Sequence, residues 1–480
     1  MDGSSNTSPA PPHVVFLPFP AQGHIKPMFT LAKLLSHVAK FRITLVNTHH
    51  NHALLQRSLD TAAADFGDSF PDFHFASLPD VVAHQDGQSN LANIAQLLPA
   101  IRNSKPDFHR LMLDLPSAAT CIIVDGVMSY GIEVAEEIGI PAITFRTFSA
   151  VGLWVYFNLD KLTEDGSIPI PGNADMDELI TSIPGLEGVL RLRDLPSMCR
   201  PGPSSQVLKF FIDETKSMKR ASGLILNTFD ELEGSIISKL SSTIFPKTYP
   251  VGPLHGLLNN VVKEHHSDGG LWREDKGCMT WLESHPSKSV VYVSFGSLVA
   301  FTEAQFMEFW HGLVNTGKPF LWVIRPDSVS GEDGSIQSGR IISGLKEAHG
   351  NKCCVVDWAP QLEVLAHEAV GGFLTHSGWN STLEAILEGV PMICWPRFSD
   401  QQVNSRAVSD IWNVGLDMKD TCDRWTVEKM VRELMDDSCK RDEIVKSTAE
   451  IARLARDSIK EGGSSYCNLE KLIADVGAMC

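Results

Sequence analysis

The chain has 480 residues and a mass of 52.7 kDa, too long for a single hydrophobic core and long enough for two domains of ordinary size. Apolar residues make up 43% and charged residues 21%, the balance of a soluble globular protein. A formal net charge of −17 argues against nucleic acid as a partner, because a phosphate backbone needs a basic surface; a small anion needs only a local set of donors.

Taken in order, the first twelve residues, "MDGSSNTSPAPP", have neither the basic nor the apolar segment of a signal peptide and read as a flexible tail. "HVVFLPF" is a strand that leads through "PAQGHIK" into a helix beginning at Pro27, a favourable first helical position, and the chain returns as the strand "FRITLVNT". "HHNH" at His49 to His52 has the density of a metal site without helical i, i+4 spacing, and is expected to border a pocket. "CIIVDG", the helix "GIEVAEEIG" and the strand "PAITF" make a second βαβ unit. Ile140 to Phe157 is interrupted by Pro141 and Arg146 and is too short to span a membrane, so it reads as a core strand running into a buried helix.

"DMD" at Asp175 to Asp177 resembles a D-x-D metal clamp, but its Gly/Pro-rich setting points to a solvated loop, and no metal is assigned to the chain. The polar run "GLLNNVVKEHHSDGG" reads as an interdomain linker or surface loop. Beyond it, "SVVYVSFGS", "PFLWVIR", "CCVVDWA", "VGGFLTH" and "MICWP" are strands alternating with helices. The expected division is a tail at 1–12, a first doubly wound domain at 13–250, a linker region at 251–288 and a second domain at 289–460. Ten cysteines with no C-x-x-C pair and with Cys353 beside Cys354 suit neither a disulfide framework nor zinc, which favours a reducing cytoplasm. Neither a P-loop nor G-x-G-x-x-G is present, which weakens NTPase and dehydrogenase readings.

Open α/β sheets bind ligands beyond the carboxyl ends of their strands. His24, Asp125, Ser297, Trp358, His376 and Asp400 all fall at or shortly after predicted strand ends, which suggests a cleft shared by both halves. The stretch "THSGWNSTLEAILEGVP" starts as a strand-to-helix junction whose free N–H groups and positive dipole end suit a phosphate, with Gly378 allowing close approach and His376, Asn380 and Ser381 adding donors. Ser381 followed by Glu384 also satisfies a capping box, and capping alone would leave His376 and Trp379 unexplained. His24 gains interest from Asp125, a carboxylate able to orient an imidazole acting as general base; apart from each other, the histidine could be structural and the aspartate a helix cap. Residues near His24, with His49 to His52, Arg146, Phe148 and Trp154, could line an apolar acceptor pocket with a polar end, suited to an acidic ligand if Arg146 faces it.

From Trp358 to Gln401, "WAPQLEVLAHEAVGGFLTHSGWNSTLEAILEGVPMICWPRFSDQ" closely resembles the signature box of plant family 1 UDP-dependent glycosyltransferases. "FPAQGHIKP", "VDGVMSYGIEVAEEIGIP" and "VSFGS" resemble other stations of that family in the expected order, and "IPGLEGVLRLRDLP" with "TFSA" resembles its subgroup of iridoid and terpenoid glucosyltransferases. The resemblance implies a GT-B fold of two facing Rossmann-like domains, the acceptor on the first and the nucleotide sugar on the second, with residues 461–480 forming a helix that returns to the first domain.

It further implies that Trp358 stacks on uracil, with Ala359 and Gln361 near the base and ribose and Glu384 on the ribose hydroxyls. His376, Asn380, Ser381 and Ser297 would hold the diphosphate, while Trp379, Asp400 and Gln401 would contact the sugar. His24 would be the base and Asp125 its orienting partner. The expected reaction is an inverting transfer of glucose from UDP-glucose, a co-substrate in a reaction that uses no cofactor, to a hydroxyl or carboxyl of a small lipophilic metabolite, by a cytoplasmic monomer. The competing readings are a nucleotide-sugar epimerase or phosphorylase and a non-catalytic UDP-sugar-binding protein.

Overall fold

Val14 to Leu17 and Val290 to Val293 are buried along their whole length, as strands covered on both faces must be. The computed structural model describes residues 11–60, 66–81, 97–98, 100–200, 205–262, 270–330 and 350–479. The first ten residues of the expected tail and residues 263–269 of the expected linker lie outside them.

Seven strands form the first sheet: β1 (His13–Leu17), β2 (Arg42–Thr48), β3 (Phe73–Leu78), β4 (Cys121–Asp125), β5 (Ala142–Arg146), β6 (Leu224–Leu226) and β7 (Thr248–Pro250). Their order is β3-β2-β1-β4-β5-β6-β7 and every pairing is parallel. The second half supplies β8 (Val290–Ser294), β9 (Phe301–Thr302), β10 (Phe320–Val323), β11 (Val329–Ser330), β12 (Cys353–Val356), β13 (Val370–Thr375), β14 (Met392–Cys394) and β15 (Gly415–Asp417). Six of these make a second parallel sheet, ordered β12-β10-β8-β13-β14-β15, while β9 and β11 pair separately. Both sheets reverse strand order once, between β1 and β4 and between β8 and β13. A crevice opens at the carboxyl ends of such neighbours.

The helices that shape that crevice are α1 (Gln22–Ala39), α2 (His49–Asp60), α3 (Ala150–Glu164), α4 (Leu254–Val261), α5 (Trp379–Glu388), α6 (Gln401–Arg406), α7 (Cys439–Ser458) and α8 (Ser464–Gly477). β5 and α3 are the core strand and buried helix expected for Ile140 to Phe157. Gly389 ends α5 in the left-handed conformation, φ 72°, and Pro391 follows.

Three local expectations need correction. α1 begins at Gln22, so Pro27 lies inside the helix and not at its first position. The "HHNH" run opens α2, because the chain turns into helix directly after β2. Part of the polar linker is the ordered helix α4, whose Leu254 and Leu257 are buried. A Cβ on Gly256 in α4 would lie 2.7 Å from Ile459 and 2.9 Å from Leu387, so α4 is packed tightly against both α5 and the end of α7.

One apolar cluster runs from Phe16 and Phe29 of the first half, through Leu254 and Leu257, to Tyr292, Leu383 and Leu472. α8 lies back against the first sheet, where Tyr249 Oη donates to Asp475 at 2.5 Å and Ser465 Oγ donates to the Gly252 carbonyl at 2.5 Å.

Candidate active site

β1 and α1 deliver His24 to the crevice, and β4 ends on Asp125 beside it. Asp125 is fully buried and lies with Oδ2 2.7 Å from His24 Nδ1; the backbone N–H of Val127 donates to its other oxygen at 3.1 Å. Thr147 Oγ1 is 3.0 Å from the same imidazole nitrogen. A carboxylate at Nδ1 selects the tautomer with its proton there, which leaves Nε2 as the basic nitrogen. His24 lines the cavity between the two sheets and keeps 19% of its side chain exposed.

Across that cavity lies the tip of α5. Its N-cap is Gly378 and no side chain caps it. Ser381 is therefore the third residue of the helix, and the capping-box reading of Ser381 and Glu384 fails on position. Uncapped amide groups at the positive end of a helix dipole suit an anion. Removal of water from around the His376 ring pushes its pKa down to about 4, with Ser294 and Arg325 making smaller contributions, so the imidazole is neutral near pH 7. The ring lies between two glycines: a Cβ on Gly378 would stand 2.4 Å from Nε2, and one on Gly296 2.7 Å from it. Ser377, between His376 and Gly378, adopts φ 62°, a left-handed conformation uncommon outside glycine.

All eleven residues named from the sequence for the donor line this one cavity: Ser297, Trp358, Ala359, Gln361, His376, Trp379, Asn380, Ser381, Glu384, Asp400 and Gln401. Gln361 Nε2 donates to Ser381 Oγ at 2.9 Å and to Glu384 Oε2 at 2.6 Å. Trp358 stacks on Trp272, with centroids 5.7 Å apart, so one indole face is already covered. Gln401 accepts from the amides of Arg397 at 2.9 Å and Phe398 at 3.2 Å, which commits its carbonyl and leaves its NH2 as the donor for a ligand. Asp400 is buried, which raises its pKa, and Asn404 Nδ2 donates to it at 2.8 Å.

Trp379 differs from expectation. Its indole N–H donates to the Asn227 carbonyl at 2.8 Å and its ring packs beside Trp412, so the side chain enters the core and is not available to a ligand as the resemblance implies.

The acceptor candidates separate. Phe148 lines the cavity with Thr147. Arg146 is fully buried behind it, its guanidinium stacked 3.8 Å from the Phe148 ring centre, and burial lowers its pKa. Trp154 donates to the Pro184 carbonyl at 2.8 Å. Neither Arg146 nor Trp154 is among the cavity-lining residues: Trp154 is tied to Pro184, and the buried Arg146 guanidinium lies against the rings of Phe148 and Tyr156 with none of its nitrogens hydrogen-bonded among the described residues. His49 hydrogen-bonds Ser77 at 2.9 Å, and none of His49 to His52 lines the cavity. Asp177 pairs with Arg193 at 2.9 Å on the surface. Among the described residues no three His, Cys, Asp or Glu side chains gather as a metal site, and no helix is long and apolar enough to cross a membrane.

This geometry has counterparts in known proteins. The family model for UDP-glucoronosyl and UDP-glucosyl transferase matches residues 207–456. A 7-deoxyloganetic acid glucosyl transferase of Catharanthus roseus is 45% identical over 488 residues, covering 98% of each chain. The chain belongs to this transferase family. A 7-deoxyloganetin glucosyltransferase of Gardenia jasminoides is 42% identical, covering 96% of this transferase and 97% of its own length. The crystal structure of a Medicago truncatula UGT complexed with UDP-glucose superposes with a TM-score of 0.79 at 27% identity, covering 97% and 98% of the two chains. The fold is GT-B.

Sequence reasoning missed several residues that build the site of this transferase. Arg325, at the end of "PFLWVIR", is buried and donates to the carbonyls of Gly296 at 3.1 Å and Val299 at 3.4 Å, holding the loop that carries Ser297. Asn404 donates to the Ser377 carbonyl at 3.0 Å as well as to Asp400, and accepts from Ser149 at 2.8 Å, joining α6 to the start of α3. Lys26, two residues after His24, lies 3.0 Å from Glu384 Oε1. The glycine of "VSFGS", Gly296, is the one legible signal: its φ of 73° favours glycine, and a Cβ there would stand 2.7 Å from the His376 ring.

Proposed function

We propose that the enzyme transfers glucose from UDP-glucose to a hydroxyl or carboxyl of a small lipophilic metabolite by a single inverting displacement, giving a β-glucoside. The observation that carries this reading is the pairing of His24 with Asp125 at 2.7 Å on one wall of a cavity whose opposite wall is the uncapped tip of α5.

His24 Nε2 takes the proton of the acceptor as its oxygen attacks the anomeric carbon, and the bond from that carbon to the diphosphate breaks. Asp125 stabilises the imidazolium that results. Negative charge developing on the leaving diphosphate meets the amides of α5, the side chains of Asn380, Ser381 and Ser297, and one N–H of the neutral His376 imidazole. The helix end contributes about 0.3–1 kcal/mol, up to about 2 when partly buried. The remainder comes from preorganised hydrogen bonds in a closed cleft. Trp358 offers its free indole face to uracil, Ala359 and Gln361 border the base and ribose, and Glu384 receives the ribose hydroxyls. Gln401, Asp400 and the main chain at Trp379 read the sugar.

Iridoid and related terpenoid aglycones are the acceptor class we favour, from the substrates in the names of both relatives. Phe148 and Thr147 form its floor. Arg146 would meet an acidic acceptor only after Phe148 swings aside. We propose a monomeric cytoplasmic enzyme that needs neither metal nor cofactor.

The deciding experiment is incubation of the purified protein with UDP-glucose and a panel of iridoid, terpenoid and phenolic aglycones in the presence of a chelator, with products identified by mass and anomeric coupling. β-Glucosides are expected. UDP-glucose consumed without an acceptor would mark an epimerase, binding without turnover a sugar-nucleotide-binding protein, and strict dependence on added Mg²⁺ or Mn²⁺ would contradict the leaving-group account.

A further inference from the structure

α1 and α5 meet through two pairs of residues. Gly23 and Lys26 are three apart on one face of α1; Asn380 and Glu384 are four apart on one face of α5. Asn380 Nδ2 donates to the Gly23 carbonyl at 2.8 Å. That carbonyl is available because Pro27, four residues on, has no N–H to return to it. Lys26 Nζ lies 3.0 Å from Glu384 Oε1, with the two side chains 17% and 3% exposed. His24 stands between Gly23 and Lys26 in the same turn.

Glu384 is a buried carboxylate facing the cavity, and burial of such a group requires hydrogen-bond partners. Gln361 Nε2 reaches Oε2 at 2.6 Å and Lys26 reaches Oε1 at 3.0 Å. A carboxylate has about four lone-pair positions. One partner on each oxygen holds the group in a single orientation and leaves one acceptor position per oxygen for two adjacent hydroxyls.

We propose that Lys26 is a positioning residue for the donor: acting through Glu384, it presents the carboxylate to the ribose diol, and it ties that diol to the helix turn carrying the base. The inference rests on the reading that Glu384 receives the ribose hydroxyls. Gln361 belongs to the same half as Glu384, whereas Lys26 comes from the acceptor side, so nucleotide affinity depends on the half that does not hold the nucleotide.

The test is calorimetric. Dissociation constants for UDP and for 2′,3′-dideoxy-UDP are measured on the full-length enzyme and on Lys26→Met and Lys26→Arg, with thermal denaturation of each to check folding. The wild type is expected to prefer UDP by at least tenfold. Lys26→Met should lose most of that preference by weakening UDP about tenfold while leaving 2′,3′-dideoxy-UDP within twofold, and Lys26→Arg should restore it. A Lys26→Met enzyme that keeps the wild-type preference overturns the role of Lys26 and leaves Glu384 in place. Equal weakening of both nucleotides overturns it too, since that is the signature of a phosphate contact or a general structural role. A wild type with no preference removes the ribose reading of Glu384, and this inference with it.

Discussion

His376 and Gly378 are neighbours in a strict sense: a Cβ on the glycine would stand 2.4 Å from Nε2 of the imidazole. Gly378 has φ −63°, open to any residue, so it is the ring and not the backbone that demands glycine here. Gly378→Ala must push the imidazole away from the helix tip. Overpacking of this kind costs about 1–3 kcal/mol. Expressed at the donor site, that is a rise in KM for UDP-glucose of roughly 5- to 150-fold. Steady-state kinetics with the donor varied checks it; an unchanged KM would show that the ring has nothing to do with the nucleotide.

The pairing of His24 and Asp125 predicts a dependence on acceptor chemistry. His24→Ala should lower kcat by roughly 10² to 10⁴ with a hydroxyl acceptor, the usual worth of a general base. A carboxylate acceptor is already deprotonated and should lose less than about tenfold. Asp125→Asn removes the charge that stabilises the imidazolium and should follow the same ordering. Parallel kcat measurements on one acceptor of each kind decide the matter, and equal losses would point to a positional role.

His376 also predicts a pH effect on stability. Its pKa is pushed from the ordinary 6.5 to about 4 in the folded protein, so between those values the unfolded chain binds more protons than the native one. The contribution is complete above pH 6.5 and is lost as pH falls toward 4, at most about 3 kcal/mol. Urea unfolding at pH 7 and pH 5 should show wild type losing more stability than His376→Gln. A variant that loses as much as wild type would contradict the shift.

Asn404 predicts a cost paid jointly by both halves. Its amide donates to Asp400 and to the Ser377 carbonyl, and its oxygen accepts from Ser149. Asn404→Ala leaves the buried Asp400 carboxylate without this donor, at about 2–4 kcal/mol. Denaturation midpoints measure that loss. A matching fall in sugar-donor turnover is expected, because Asp400, which this amide holds, lines the cavity at the proposed sugar position.

Much of the donor site was legible because it is local. Residues 358–401 carry a strand end, an uncapped helix and a second helix start in unbroken order, so one contiguous motif delivers nearly half of the residues lining the cavity. The alternation of apolar strands with helices was sufficient for the two parallel sheets. What escaped was set by tertiary direction. Trp379 sits in the motif, yet its indole turns into the core because the Asn227 carbonyl is there to receive it. Arg146 and Trp154 sit on the right elements and point away from the cavity. Arg325 and Lys26 act on residues 29 and 358 positions distant in the chain, a relation no local pattern records. Pro27 misled because proline at a helix start is the commoner use, whereas here the missing N–H freed a carbonyl for the opposite helix.

The placement of α8 against β7 sets how the molecule can breathe. The polypeptide crosses from the first half to the second after Pro250 and comes back before Ser464, so two strands of covalent chain bridge the halves. One bridge would leave a swivel. Two define an axis, and motion that spares both is a rocking about the line between them, like a book on its spine. A rocking of that kind would return His24 to the same edge of α5, where Asn380 meets the Gly23 carbonyl.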